Sequence, residues 1–67
     1  MPQISLAERR ALVQTAGITL DGRPASIGGA RNDFASVSTT DGGPLVDVEF
    51  AWATVARVVD AGGDFRS

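Results

Sequence analysis

The stretch of sequence that decides the fold is residues 45–59, LVDVEFAWATVARVV, where one hydrophobic period gives way to another. Its first part alternates apolar and acidic residues, which predicts a strand with Asp47 and Glu49 facing solvent and the intervening apolar residues facing a core. From Trp52 onward the apolar residues recur at positions i, i+3, i+4 and i+7, which predicts an amphipathic helix over about residues 52–61. A strand that continues into a helix indicates an α+β domain.

Four short β-prone runs, separated by turns rich in glycine, precede this helix. They lie at residues 18–20, 23–27, 34–39 and 45–50. Asp21 and Gly22 form the dipeptide that type I′ hairpin turns favour, so the first two runs should pair as a hairpin. Pro24 restricts the second strand to an edge of the sheet or to a position that donates no ladder bond. The runs and turns together predict a four-stranded antiparallel meander over about residues 18–50.

Another helix is predicted before the strands, at about residues 5–16. Ser5 and Glu8 have the spacing of a capping box, in which the serine hydroxyl accepts a hydrogen bond from a backbone amide of the first helical turn. Gly17 is suited to the left-handed position that follows a helix. Residues 1–67 are therefore expected to form one small α+β domain in the order α-β-β-β-β-α, with both helices covering one face of the sheet.

The composition excludes most catalytic chemistry. The chain has six Arg but no Lys, His, Cys or Tyr, and its eight acidic residues give a net charge of -2. It therefore lacks a Ser-His-Asp triad, a Cys-His dyad, the usual zinc ligands and a Schiff-base lysine. We expect a protein that is not an enzyme and uses no cofactor, metal or catalytic residue. Because neither a disulfide nor zinc can stabilise so small a core, the chain is also expected to form a homo-oligomer.

The distribution of charge and hydrophobicity bears on location and partners. No apolar run is long enough to span a membrane and no export signal is evident, so a cytoplasmic protein without a membrane partner is expected. The arginines are scattered among acidic residues, and the sequence pI is about 4.7. Repulsion from a phosphate backbone makes nucleic acid an unfavourable partner. Scattered arginines suit the binding of one small anion, or ion pairs across an interface.

The loop after the second strand is the first candidate ligand-binding site. Gly28, Gly29 and Asn32 could present backbone amides to a phosphate or carboxylate, because glycine accepts the backbone conformations that an anion-binding nest requires. Arg31 would add a guanidinium that can bind such an anion through two hydrogen bonds. The alternative interpretation is a glycine-rich connection that carries a solvated arginine.

Aromatic and basic side chains from other segments could complete this site. Trp52 or Phe34 could stack on a planar base, and Arg9 or Arg10 of the first helix could contact phosphate. The alternatives for Trp52 are that it fills the core at the corner between strand and helix, or that it anchors a subunit interface.

Two functions follow from these observations. The first is a non-catalytic homo-oligomer that binds or sequesters a small anionic, nucleotide-like ligand between subunits, as a phage or bacterial accessory protein would. The alternative is a protein-interaction module, an inhibitor or an assembly subunit, that acts through a sheet edge or an apolar patch. Single arginines among glycine-rich turns favour the first. Asp47 and Glu49 could bind a cation or a hydroxyl group, but such a pair is more typical of the solvent-facing side of a sheet.

Overall fold

The computed structural model describes residues 4–67, which form two helices and one five-stranded sheet. The elements are, in chain order, α1 (Leu6–Val13), β1 (Thr19–Leu20), β2 (Arg23–Gly28), β3 (Phe34–Thr39), β4 (Asp47–Ala51), α2 (Trp52–Asp60) and β5 (Asp64–Phe65). The predicted α+β class is confirmed, and the predicted order of elements holds from the first helix to the second.

The sheet has the strand order β4-β3-β2-β1-β5. Strands β1 to β4 form the antiparallel meander that the turn spacing predicts. The prediction of a purely antiparallel sheet is wrong in one respect, because β5 pairs with β1 in parallel. Backbone hydrogen bonds of 2.9 Å from Thr19 N to Gly63 O and 2.8 Å from Asp21 N to Phe65 O hold this last strand in place.

The first helix begins as predicted and ends early. Ser5 is its N-cap, and its hydroxyl oxygen accepts a hydrogen bond of 3.2 Å from the Glu8 amide. The expected end near residue 16 is wrong, because Gln14 N and Thr15 N bond to carbonyls three residues earlier and the last turn tightens. Gly17 does take a positive φ of 78°, but it lies in the connection to β1 and not directly after the helix.

The first hairpin turn has the conformation that its dipeptide favours. Asp21 and Gly22 both have positive φ, at 52° and 83°, which is the signature of a type I′ turn. Pro24 lies in β2, an interior strand, at the rung where pairing with β3 ends. Its carbonyl accepts a 2.8 Å bond from Thr40 N, and only the return bond is lost because proline has no N–H.

One hydrophobic core fills the space between the sheet and the helices. Its buried members come from the strands, from α2 and from the segment before β1: Ile18, Leu20, Ile27, Ala35, Val37, Trp52, Val55 and Phe65. Leu12 and Val13 of α1 pack against the same cluster. Both helices therefore cover one face of the sheet, as predicted, while the opposite face carries small polar residues such as Ser36 and Ser38. Neither α1 nor α2 is long and apolar enough to cross a membrane.

Candidate functional site

Three of the predicted ligand-binding residues meet at one junction. The Arg9 guanidinium lies over the Trp52 ring, 5.7 Å from its centroid, and Arg9 Nη1 donates a 3.0 Å hydrogen bond to the Asn32 carbonyl oxygen. Trp52 Nε1 donates a 2.8 Å bond to the same carbonyl, and Arg9 Nε donates to Ile4 O at 3.2 Å. This junction joins α1, α2 and the loop between β2 and β3, so these groups stabilise the fold.

The burial of Trp52 disfavours its predicted role in stacking on a ligand. Its side chain is only 4% exposed and belongs to the hydrophobic core. The Arg9 guanidinium lies over the ring, and the indole N–H is already bonded to Asn32. In this chain Trp52 therefore fills the corner between β4 and α2, which is the core alternative that the sequence left open.

The glycine loop offers fewer groups to an anion than predicted. Gly28 belongs to β2 and pairs with Ser36 of β3. Gly29 has a positive φ of 80°, and its carbonyl accepts a 2.8 Å bond from the Asn32 amide, so the loop closes on itself. Arg31 is exposed and makes no hydrogen bond or ion pair within residues 4–67. Its guanidinium is therefore an accessible part of the predicted anion site.

The last two predicted ligand-binding residues are both on the surface. Arg10 is exposed on α1, and its side chain forms no hydrogen bond or ion pair in the part of the chain that the structure describes. Phe34 is 52% exposed and lies opposite Ala51 at the end of the β3–β4 pair. Arg31, Arg10 and Phe34 are thus accessible, whereas Arg9 and Trp52 are engaged in the fold.

The open edge of β4 is a feature that the sequence analysis did not locate. Thr39 N donates a 3.0 Å bond to Val46 O, which fixes the alternation of the β3–β4 ladder. Val48 and Phe50 therefore bond to β3 through their backbone groups. Asp47, Glu49 and Ala51, which alternate with them, direct their backbone N–H groups to the open side. Two exposed carboxylates on one short strand are a sequence signal for an edge, because edge strands carry charges that discourage unwanted pairing.

The side chains of this edge differ in character between its two faces. On the face that meets the core, Val46, Val48 and Phe50 are only partly buried. On the other face Asp47 and Glu49 are exposed, and neither has a basic nitrogen within 4 Å in residues 4–67. We call these five residues, together with Ala51 and the backbone N–H groups on the open side, the β4 edge. Leu45, two residues before β4, is 73% exposed.

Two carboxyl groups elsewhere are held in the charged state by hydrogen bonds. Arg23 binds Asp41 through Nε at 2.8 Å and Nη2 at 2.6 Å, which is the ion pair recorded within residues 4–67. These bonds hold the pKa of Asp41 well below its usual range, and a 3.0 Å bond from the Gly43 amide acts in the same direction. Hydrogen bonds from Ser67 lower the pKa of Asp21. Both sites stabilise turns.

Comparisons with known proteins do not assign a function. No protein-family model, curated protein or solved structure matches the chain. Across the described residues, no group of three acidic side chains is arranged to hold a metal ion. The function must therefore be proposed from this chain's own residues and from their accessibility.

Proposed function

We propose that this chain is a protein-interaction module that binds an extended segment of a partner protein along the β4 edge. The observation that carries this proposal is that β4, a strand of five residues, ends the sheet of residues 4–67, so that the N–H groups of Asp47, Glu49 and Ala51 point away from β3. An extended segment can add to such an edge through main-chain hydrogen bonds, while pockets for alternate side chains give specificity.

The opposite edge of the sheet is a poorer docking surface. Its strand, β5, has only two residues, so it offers few backbone groups for pairing. Phe65 of β5 is 1% exposed, which means that the core is already closed at that end. At the β4 edge the apolar side chains remain partly accessible, so an added strand would bury more apolar surface there.

Accessibility also favours this function over the sequestering of a nucleotide-like ligand. The proposed nucleotide site depends on Trp52 or Phe34 for stacking and on Arg9 or Arg10 for phosphate binding. Phe34 and Arg10 are exposed, but Trp52 is buried and Arg9 is bonded to Asn32, so a ligand would have to displace internal contacts to use either of these two. Binding along β4 requires no such rearrangement.

Selected peptides test this proposal. Ten-residue random peptides displayed on phage would be selected against the immobilised protein, and their affinities measured for the wild type and for Ala51→Pro. Ala51 has a φ of -61°, close to the value that proline fixes, and its N–H faces the open edge. The substitution should therefore remove one edge donor with little strain, and selected peptides should bind at least about fivefold more weakly, as expected for the loss of one hydrogen bond.

Arg31→Ala serves as the matched control, because Arg31 is exposed and lies in the loop between β2 and β3. It should leave the affinity of the selected peptides unchanged. Peptides that lose affinity with Arg31→Ala and bind Ala51→Pro normally would contradict the proposal. Circular dichroism would verify that both variants are folded.

The second candidate function is the binding of a small anion, which the single arginines among glycine-rich turns favour. The observation in its favour is that the Arg31 guanidinium is exposed and has no partner within residues 4–67. Native mass spectrometry of freshly purified protein tests this candidate together with the proposed homo-oligomer. A retained mass in the nucleotide range that is lost in Arg31→Ala would support it, whereas a bare protein that also fails to bind added ATP would count against it.

A further inference from the structure

On the basis of the proposed function, we infer that the β4 edge binds a segment in which basic and apolar residues alternate, with the basic residues opposite Asp47 and Glu49. The partner would be a protein with such a segment in extended conformation. The two faces of the β4 edge favour different kinds of side chain on an incoming strand. Because successive side chains of a strand point to opposite faces, the residues of the segment should alternate.

The acidic face of the β4 edge has no counter-charge from the described residues. Asp47 lies across from Ser38 and Glu49 from Ser36, so the β3 side provides hydroxyl groups and no cation. No Arg approaches either carboxylate within 4 Å in the described part of the chain. An added strand would place side chains about 5 Å from these carboxylates, where opposite charges attract and like charges repel. Arg or Lys at these positions would therefore be favoured over Asp or Glu.

The other face requires apolar residues. Val46, Val48 and Phe50 pack against the core, but they are only partly buried, and no strand of residues 4–67 lies beyond them. Side chains of an incoming strand that point the same way would lie beside these three residues and extend the core. Polar residues there would be desolvated without a hydrogen-bonding partner, which is unfavourable.

A second copy of β4 is a poor occupant of the same edge. In a two-fold antiparallel pair of β4 strands, the residues whose backbone groups face the edge must lie opposite each other. If the axis lies at Val48, each Asp47 is opposite Glu49 of the other copy, and if it lies at Glu49, the two Glu49 carboxylates face each other. An axis at Phe50 leaves only the last residues of the strand to pair, because α2 begins at Trp52. Like charges directly opposite destabilise a strand pair, so a basic segment fits better.

Three synthetic peptides test the inference on the intact protein. Each is a capped nine-residue peptide in which Val alternates with Arg, with Gln or with Glu. NMR titration would give their affinities, and the amide signals of Asp47, Glu49 and Ala51 would locate their binding. We expect the Arg peptide to bind about tenfold or more tightly than the Glu peptide, with the Gln peptide between them. Its affinity should fall as salt is added.

Charge reversal provides the matched variant. In the double variant Asp47→Arg/Glu49→Arg the order of affinities should invert, so that the Glu peptide binds most tightly. If the variant does not fold, the salt dependence with the wild type still decides the question. Whether or not the variant folds, an Arg peptide methylated on the backbone nitrogens that would donate to β4 should fail to bind the wild type, because edge pairing needs those donors.

The outcomes separate the inference from the function on which it rests. Equal affinities of the three peptides, with protection of the same β4 amides, would overturn the charge rule and leave edge binding intact. Failure of every peptide to protect those amides would overturn both. An Arg peptide that binds tightly but shifts only signals outside β4 would overturn the inference as well.

Discussion

Arg9 and Arg10 are neighbours in the chain, yet only Arg9 holds parts of the fold together. Arg9 donates hydrogen bonds to two carbonyls and lies over Trp52, whereas Arg10 is exposed. We predict that Arg9→Ala lowers the free energy of unfolding by about 1–2 kcal/mol, because it removes charged hydrogen bonds and a cation–π contact. Urea unfolding measures this change.

Arg10→Ala is the control, since it removes the same charge from the same helix without these contacts. It should change the free energy of unfolding by no more than about 0.5 kcal/mol. Equal losses for the two variants would mean that the junction of Arg9, Trp52 and Asn32 does not stabilise the fold.

The Arg23–Asp41 pair predicts how stability depends on pH. The pKa of Asp41 is held well below that of a free aspartate, about 4, chiefly by the hydrogen bonds from Arg23. The unfolded chain therefore takes up this proton first, so the pair's contribution is present above about pH 4 and is lost as the pH falls below it. In Asp41→Asn the free energy of unfolding should fall less between about pH 4 and pH 2 than it does in the wild type.

Unfolding by urea at several acidic pH values measures this dependence. Arg23→Ala should weaken the same part of the pH profile, and the double variant should do no more than either single one. An unaltered acid profile in Asp41→Asn would show that the pair does not couple protonation to folding.

The two-residue strand β5 is expected to contribute more to the stability of the fold than its length suggests. Phe65 is 1% exposed, and its ring centroid is 5.2 Å from that of Phe50. Phe65→Ala should cost about 3–5 kcal/mol, which is comparable with the whole stability of a domain of this size. The variant should therefore be largely unfolded by circular dichroism. Phe34→Ala, at a site 52% exposed, should cost less than about 1 kcal/mol, and similar losses in the two variants would contradict this assignment of the core.

The sequence predicts those elements whose residues carry a repeating pattern. Strands β3 and β4 alternate over five or six residues, and α2 has apolar residues at helical spacing, so their positions were predictable. Strand β5 has no period to detect in two residues, and its partner, β1, lies more than forty residues earlier. The early end of α1 was also missed, because the last turn tightens before Gly17.

The candidate site depends on features that only the assembled elements provide. Trp52 is buried in the core with Arg9 of α1 over its ring, and the spacing within α2 cannot reveal that contact. The openness of β4 depends on where β5 pairs, since β5 adds beside β1 at the opposite end of the sheet. The alternation of Asp47 and Glu49 with apolar residues predicted the two faces of β4 but not its place in the strand order.

At the scale of the whole molecule, the account depends on the β4 edge being open to a partner. Hydrogen exchange of the β4 amides, followed by NMR at two protein concentrations, tests this claim most directly. Amides of Val48 and Phe50, which bond to β3, should exchange slowly, whereas those of Asp47, Glu49 and Ala51 should exchange at nearly unprotected rates at both concentrations. Slow exchange of the last three, or protection that grows with concentration, would show that the edge is already occupied and would contradict the account.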